Sequence, residues 1–584
     1  MAKTQQAVHV ARTKSRRVNK AGETVEYESV LLRRSYRDGG KVKHETLANL
    51  AALPEQAVED LRASLAGKTL VEATAGLEVT RSLPAGHVDA VARMARGLGF
   101  EKLLGPACRE RDIAMALITA RVCAPASKLA SLRWFEDTTL AADLGPVSTD
   151  EAYTAMDWLL ARQPRIEKQL AGRYLGPESN PEKLALFDLS SSWVTGHHNP
   201  LAARGYSRDR KKGVEQIEYG MLANRHGVPV AVRVFPGNTA DPAAFTAIAG
   251  EIKDLAGVEE MVMVGDRGMI TAARIRQLKE TGGLDWVTCL RAPAIAALAA
   301  DDGPLQMSLF DQQDLAEISH PDYPNERLIA CRNPALAAER ARKRGELLTA
   351  TEAELDTVAA AVTAGRLAGA AKIGIRTGKI IDKYKMAKHF DVTINDTKLT
   401  YKRRTEQIDA EAALDGIYVI RTSVPAATMD AAETVRTYKS LANVEKIFKS
   451  LKSVDLLIRP IHHRTEDRTR AHVFLCMLAG HLTWHLRQAW AALTYTDDNK
   501  PTPENPVTAA VRSPEAGQKA STRTLADGTP AYSFRALLTH LATRTRNTLR
   551  AAGTAATFEL TALPTPVQRQ AQELIDQHLN TWTK

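Results

Sequence analysis

The chain has 584 residues, 44% of them hydrophobic, and a formal net charge of +10, with a pI near 9.2. It is long for a single core, so several domains around one larger centre are expected. Its five cysteines, Cys108, Cys123, Cys289, Cys331 and Cys476, form no C-x-x-C pair, which argues against a disulfide framework or a zinc knuckle. Residues 1–50 hold 11 Lys/Arg against 5 Asp/Glu, an excess whose natural partner is nucleic acid. No apolar segment follows the opening MAKTQQAVHVARTKSRR, as one would in a secretory signal. The apolar helix expected over 473–484 is short and runs into His485 and Arg487, which reads as a core helix and not a membrane span. A cytoplasmic protein without a membrane partner is expected.

In chain order, alternating runs within 8–36, notably VEYESVLLRRSY, predict a small twisted sheet with Arg and Lys on one side. A Pro-initiated helix is expected over 54–66. From 84 to 175 the pattern is helical, with helices near 84–97, 110–122, 127–136 and 150–163 separated by Gly, Pro and Ser/Thr/Asp stops. At Leu184 the texture changes to LALFDL, a compact apolar run of the kind that forms a buried strand, with one acid, Asp188. A basic loop, HHNPLAARGYSRDRKKG, leads to two further strands over 216–224 and 228–235, joined at His226-Gly227. Asn238 to Asp241 reads as a turn and cap before a helix over 242–255. MVMVGD then makes a second buried strand ending at Asp266, followed by a helix over 271–281 and a strand over 285–290.

For roughly 140 residues after Leu290 this plan is abandoned, far beyond an ordinary loop, so an inserted mixed domain is expected. It holds helices from Pro334 (PALAAERARKRGELL) and over 352–363, and strands over 390–394, 399–402 and 417–421. Next comes YKSLANVEKIFKSLK, residues 438–452. Wound as one helix, it sets Tyr438, Glu445, Lys449 and Lys452 in one stripe beside an apolar stripe of Leu441, Val444, Ile447, Phe448 and Leu451. Taken alone, that is also the pattern of an ordinary amphipathic helix with a Glu445/Lys449 pair. A helix over 472–487, a Pro/Thr/Ser/Gly-rich linker over 496–530 and helices near 533–546 and 566–579 close the chain.

An acid inside a hydrophobic strand is costly unless paired or bound to metal, which singles out Asp188 and Asp266. With the two strands adjacent and the Glu445 helix across their edge, three carboxylates converge and can hold two hard cations, Mg²⁺, roughly 3.5–4 Å apart. Mn²⁺ is a substitute. Lys211 and Lys212, after the first strand, read as phosphate contacts. His197/His198 and His462/His463 show no metal-ligand spacing and read as solvated or DNA-backbone groups. Ser190 to Ser192 lack a G-x-S-x-G elbow and read as a polar strand end.

The strand order and the three acids resemble the RNase H-like core of DDE transposases. The 438–452 stretch is similar to the Y-x2-R-x3-E-x6-K signature of bacterial insertion-sequence transposases that carry a domain inserted before the Glu. Tyr438, Glu445 and Lys452 match, and Leu441 stands at the Arg position. GYSRD, FPGNTAD, VGDRGM and RPIHHRTEDRTRAH extend the resemblance over 184–484. It implies Mg²⁺-dependent cleavage of double-stranded DNA at terminal inverted repeats and transfer of the 3′-hydroxyl ends into target DNA, by a homodimer in the bacterial cytoplasm, associated with the nucleoid. Asp188, Asp266 and Glu445 would be catalytic and metal-binding, and Tyr438, Lys449, Lys452, Arg208, Lys211 and Lys212 would contact DNA. The alternatives are an RNase H-like nuclease and a catalytically impaired, transposase-derived DNA-binding protein.

The expected architecture is a multi-domain α/β chain. A basic sheet and helix over 1–83 and a helical DNA-binding region over 84–178 precede a core over 179–291, with a mixed five-stranded sheet flanked by helices. An insertion over 292–427, the rest of the core over 428–495, and a linker with C-terminal helices over 496–584, suited to dimerisation, complete it.

Overall fold

The computed structural model describes residues 7–18, 22, 24–38, 41–68, 77–209, 211, 213–300, 303–497, 499–551 and 555–582. The chain divides into two compact units, residues 1–83 with 545–563, and residues 84–544 with 564–584.

In the first unit, β1 (Ala7–Val18), β2 (Thr24–Asp38) and β3 (Lys41–Asn49) form an antiparallel sheet, with α1 (Glu55–Leu65) tied to β1 through Arg12 and Glu55. A second three-stranded sheet joins β4 (Leu77–Pro84) to β15 (Thr545–Ala551) and β16 (Thr557–Thr561). The helix expected over 533–546 therefore stops early. Its TRNTLRA end, rich in Thr and Arg and poor in helix formers, pairs instead as β15.

The second unit opens with seven helices, α2 (Gly86–Gly97), α3 (Phe100–Leu104), α4 (Arg109–Cys123), α5 (Lys128–Glu136), α6 (Thr139–Leu144), α7 (Thr149–Ala161) and α8 (Gln163–Leu175). Their starts are set by local chemistry. Ser127 Oγ accepts the Ala130 N–H, and Ser148 with Glu151 makes a reciprocal capping box.

The main sheet follows, built from β5 (Leu184–Trp193), β6 (Gln216–Ala223), β7 (Pro229–Pro236), β8 (Met261–Val264) and β9 (Leu284–Cys289), with α9 (Asp241–Ala256) and α10 (Ala272–Thr281) between the later strands. Beyond α11 (Ala292–Leu298), β10 (Leu315–Ile318), β11 (Arg327–Arg332), α12 (Pro334–Thr363) and α13 (Ala370–Tyr384) lead to a separate hairpin, β12 (Phe390–Asn395) and β13 (Lys398–Arg403). The chain returns through α14 (Thr405–Ala413) to β14 (Ile417–Thr422). The two helices expected within 334–363 are one helix, because no Gly or Pro separates them and Thr351 bonds back to the Leu347 carbonyl without breaking it.

The sheet order is β10-β11-β14-β9-β8-β5-β6-β7. β5 runs parallel to β8, and β8 to β9; the other neighbouring pairs are antiparallel. The sheet thus has eight strands and not the five expected. β14, β11 and β10, drawn from the stretch read as an insertion, continue it past β9, since β9 without them would leave a row of backbone donors and acceptors unpaired. The segment β7-β6-β5-β8-β9 is a mixed sheet consistent with an RNase H-like fold.

Helices α15 (Ala431–Lys439), α16 (Leu441–Lys449) and α17 (Glu466–Ala489) come next, then α18 (Pro514–Thr522), α19 (Phe534–Ala542) and α20 (Pro566–Trp582). α17 is buried along nearly all its length. Among the described residues no single helix is long and apolar enough to cross a membrane. The 496–513 stretch is laced down, with Asn505 Nδ2 donating to Asp314, and Asn333 Nδ2 and Lys439 Nζ both donating to the Val507 carbonyl.

Candidate active site

β5 carries one acid. Leu184, Ala185, Leu186 and Phe187 pack fully inside, which fixes the strand's depth and leaves Asp188 at a half-buried position. The offset that pairs Leu184 with Val262, Ala185 with Met263 and Leu186 with Val264 also relates Asp188 to Asp266. Asp188 follows Leu186 by two residues within β5, and Asp266 follows Val264 by two residues, just past the end of β8, so the register carried forward sets the two acids at about the same level.

Their carboxylates are held by backbone. Asp188 Oδ1 accepts the Leu189 N–H at 2.8 Å, and Asp266 Oδ1 accepts the N–H groups of Gly268 and Met269 at 2.8 and 2.9 Å. Burial pushes the Asp188 carboxyl up to about 7, against the Leu189 N–H, and the charges of Asp266 and Glu445 push the same way while Arg208 opposes them. All three acids therefore share one electrostatic neighbourhood. Among the described residues no group of three His, Cys, Asp or Glu side chains stands as a ready metal site.

Glu445 arrives on α16, whose buried Val444, Ile447 and Phe448 hold it to the sheet. The Phe448 ring lies 5.8 Å from that of Tyr219. Tyr219 pairs with Ser190 across β5 and β6, and Ser190 shares a face with Asp188 because side chains alternate along a strand. So α16 covers the face that carries Asp188. Asn443 Nδ2 pins the helix to the Arg225 carbonyl at 2.9 Å, in the turn between β6 and β7.

The single stripe expected over 438–452 is broken. The helix is interrupted at Ser440, and after Lys449 the backbone widens into a π-turn, Ser450–Val454. Glu445 and Lys449 remain one turn apart and exposed on α16. Tyr438, on α15, is half-buried, and burial raises its pKa, with the neighbouring Cys289 and Asp266 adding to the rise. Lys452 Nζ turns to Asp209 Oδ1 at 2.9 Å, and burial holds its pKa below the ordinary value. Leu441 packs against the main core, and Lys439 is committed to the carbonyls of Pro506, Val507 and Thr508 at 2.5, 2.6 and 2.8 Å.

The basic loop after β5 is more ordered by charge than its composition suggested. Arg208 pairs with the buried Glu218 at 3.1 Å, and its backbone N–H donates to Ser191 Oγ. Lys211 Nζ sits 3.5 Å from the centre of the Trp193 ring, which the Arg459 guanidinium also approaches at 4.7 Å. Lys212 lies outside the described residues. Sequence reasoning missed Asp209 and Arg459, which pair with one another; the signal was a lone acid inside the otherwise basic GYSRDRKKG run.

The acids are hard oxygen donors of like charge, and beyond the backbone bonds each Asp keeps its Oδ2 for another partner. That donor set fits a divalent cation of the Mg²⁺ kind.

Residues 186–480, just over half the chain, match the family described as Transposase DDE domain. Residues 13–75 match the family described as IS1634 family transposase, N-terminal domain. No curated protein matches the chain.

Proposed function

The chain belongs to the transposase DDE-domain family, the enzymes of insertion sequences, and from that premise we propose that it is a cut-and-paste transposase. In this reading it cleaves double-stranded DNA at the terminal inverted repeats of its own element and joins the freed 3′-hydroxyls to target DNA. It works as a homodimer that pairs two ends, in the cytoplasm at the nucleoid.

The observation that carries the reading is the common level of Asp188 and Asp266, with Glu445 brought over the same face by α16. The sheet segment β7-β6-β5-β8-β9 supports an RNase H-like core, and the residues from β10 to β14 act as the insertion ahead of Glu445. Asp188, Asp266 and Glu445 would hold two Mg²⁺ ions, or Mn²⁺ in their place. When bound, such ions neutralise the phosphodiester and activate an attacking oxygen for in-line displacement.

The chain's own residues do the rest. Burial keeps Asp188 short of free charge, so that a cation is favoured there. Lys449, exposed one turn from Glu445, contacts the phosphate beside the scissile bond. The Tyr438 hydroxyl, near Asp266, is a second contact, Arg208 and Lys211 line the approach of the strand, and Lys212, outside the described residues, is a further phosphate contact by its place in the sequence. Lys452 reaches a phosphate only by leaving Asp209. With Leu441 in the core and Lys439 committed elsewhere, no guanidinium from this helix clamps the phosphate.

Purified protein with Mg²⁺ and labelled inverted-repeat-end DNA tests the proposal. Cleavage followed by joining is expected. Cleavage alone would make the protein a nuclease, and a gel shift without cleavage would make it a DNA-binding protein. An Asp188→Ala variant that cleaves as well as the parent would remove the metal-site assignment.

A further inference from the structure

Beyond Trp193 the chain of β5 continues through Val194, which bridges to Ile461, so two loops run side by side. Their pairing is built, not incidental: the Thr195 N–H donates to the Ile461 carbonyl at 2.8 Å, the Ile461 N–H to the Trp193 carbonyl at 3.0 Å, and the buried Asn199 Nδ2 to the His463 carbonyl at 2.9 Å. Between the loops lies a cavity of about 480 Å³ lined by Thr195, His197, His198, His462, His463 and Arg464 among others. The four histidines, two dipeptides some 260 residues apart in sequence, meet in one pocket.

Behind its inner wall the charge is uncompensated. The His463 and His472 rings lie with centres 5.0 Å apart, tilted by 49°, and His472 Nδ1 accepts from Lys128 Nζ at 3.2 Å while its Nε2–H donates to the Ile458 carbonyl. Lys128 and Arg121 are only 5% and 4% exposed. Arg121 donates to the carbonyls of Leu456 and Ala126. Among the described residues no carboxylate bonds or ion-pairs with either cation. The buried Asp455 is taken by Arg487 and Ser450, and Glu466 by Arg470. Their charge reaches the pocket: burial, then Lys128 and Arg121, hold His463 down at about 3, so it is a neutral donor there. Arg121 is a cation buried without counter-charge, and burial together with the Arg121 charge lowers Lys128 to about 7, so that Lys128 is only partly protonated at neutral pH. An anion at the adjoining cavity offsets the cost of Arg121 and draws the proton onto Lys128.

We propose that this pocket is an anion site that takes a phosphate group, from nucleic acid or from free solution, on His197, His198, His462, His463 and Arg464. It is distinct from the three carboxylates and stands whether or not the chain cleaves DNA. Lysine and arginine behind the wall supply the field, and the histidines and Arg464 supply the N–H donors.

The test uses the full chain without Mg²⁺. Pyrophosphate binding is followed by ³¹P line broadening, and binding of a short fluorescent DNA by anisotropy, for the parent and for His462→Ala/Arg464→Ala at the exposed rim. The double variant should lose about tenfold in affinity for at least one probe, with its unfolding midpoint unchanged. Pyrophosphate that displaces the DNA identifies a nucleic-acid phosphate as the occupant, whereas pyrophosphate binding that DNA leaves intact identifies free phosphate. Lys128→Met, which removes the lysine's share of the field without touching the rim, should weaken the same probe. Parent and double variant with equal affinities for both probes would overturn the proposal.

Discussion

Lys452 Nζ lies 2.9 Å from Oδ1 of Asp209, a side chain 4% exposed that also takes Arg459. The two residues are 243 positions apart. One carboxylate thus neutralises two cations, and Lys452 is free for another anion only when it leaves Asp209.

Removing that carboxylate leaves two nearly buried cations facing each other. Asp209→Ala should therefore destabilise the fold by about 3 kcal/mol, read as a lower urea midpoint at unchanged slope. An unaltered midpoint would mean that the pair contributes nothing net.

Asp188 behaves in the opposite sense. Burial and the charges of Asp266 and Glu445 work against its ionised form, so Asp188→Asn relieves a cost while it removes an oxygen ligand. In chelator-treated protein the variant should be as stable as the parent or up to about 2 kcal/mol more stable, while end cleavage with Mg²⁺ is lost. A marked fall in thermal midpoint would show that the carboxylate is held by net favourable contacts.

Lys439 ties three consecutive carbonyls of the 506–508 stretch to α15. With Lys439→Met those acceptors lose a charged donor, at a cost of about 2 kcal/mol. Limited proteolysis should then cut within 496–513 faster than in the parent; an unchanged digestion pattern would count against the strap.

A chain of neutral imidazoles sets the acid limit. His481 Nδ1–H donates to the Pro229 carbonyl, its Nε2 meets the Tyr174 hydroxyl, and that hydroxyl meets His485, which in turn meets His578. Burial lowers His481 to about 4 and lowers His485 well below its ordinary value. As pH falls below 6.5 the unfolded chain takes up protons that the folded chain refuses until about 4, so stability is full above 6.5 and is lost across that window. His481 alone accounts for about 3 kcal/mol. Urea midpoints measured from pH 7 to 4.5 should fall steadily, and a flat profile would refute the neutral chain.

By itself the sequence determined the pieces whose signal is local. An acid set in LALFDL marks Asp188, MVMVGD marks Asp266, and the apolar spacing of Val444, Ile447 and Phe448 marks the helix of Glu445, because strand and helix periods are written within a dozen residues. Tertiary structure decided what depends on partners far along the chain. The level of Asp188 with Asp266 follows from the register of β5 with β8, the eight-stranded sheet needed β14, β11 and β10 to meet the edge of β9, and the break at Ser440 separated Tyr438, and the π-turn after Lys449 separated Lys452, from the stripe their spacing implied. The same holds for Asp209 beneath Lys452 and for the two histidine pairs around one cavity. A counter-charge is chosen by distance in space, and no period in the sequence encodes that distance.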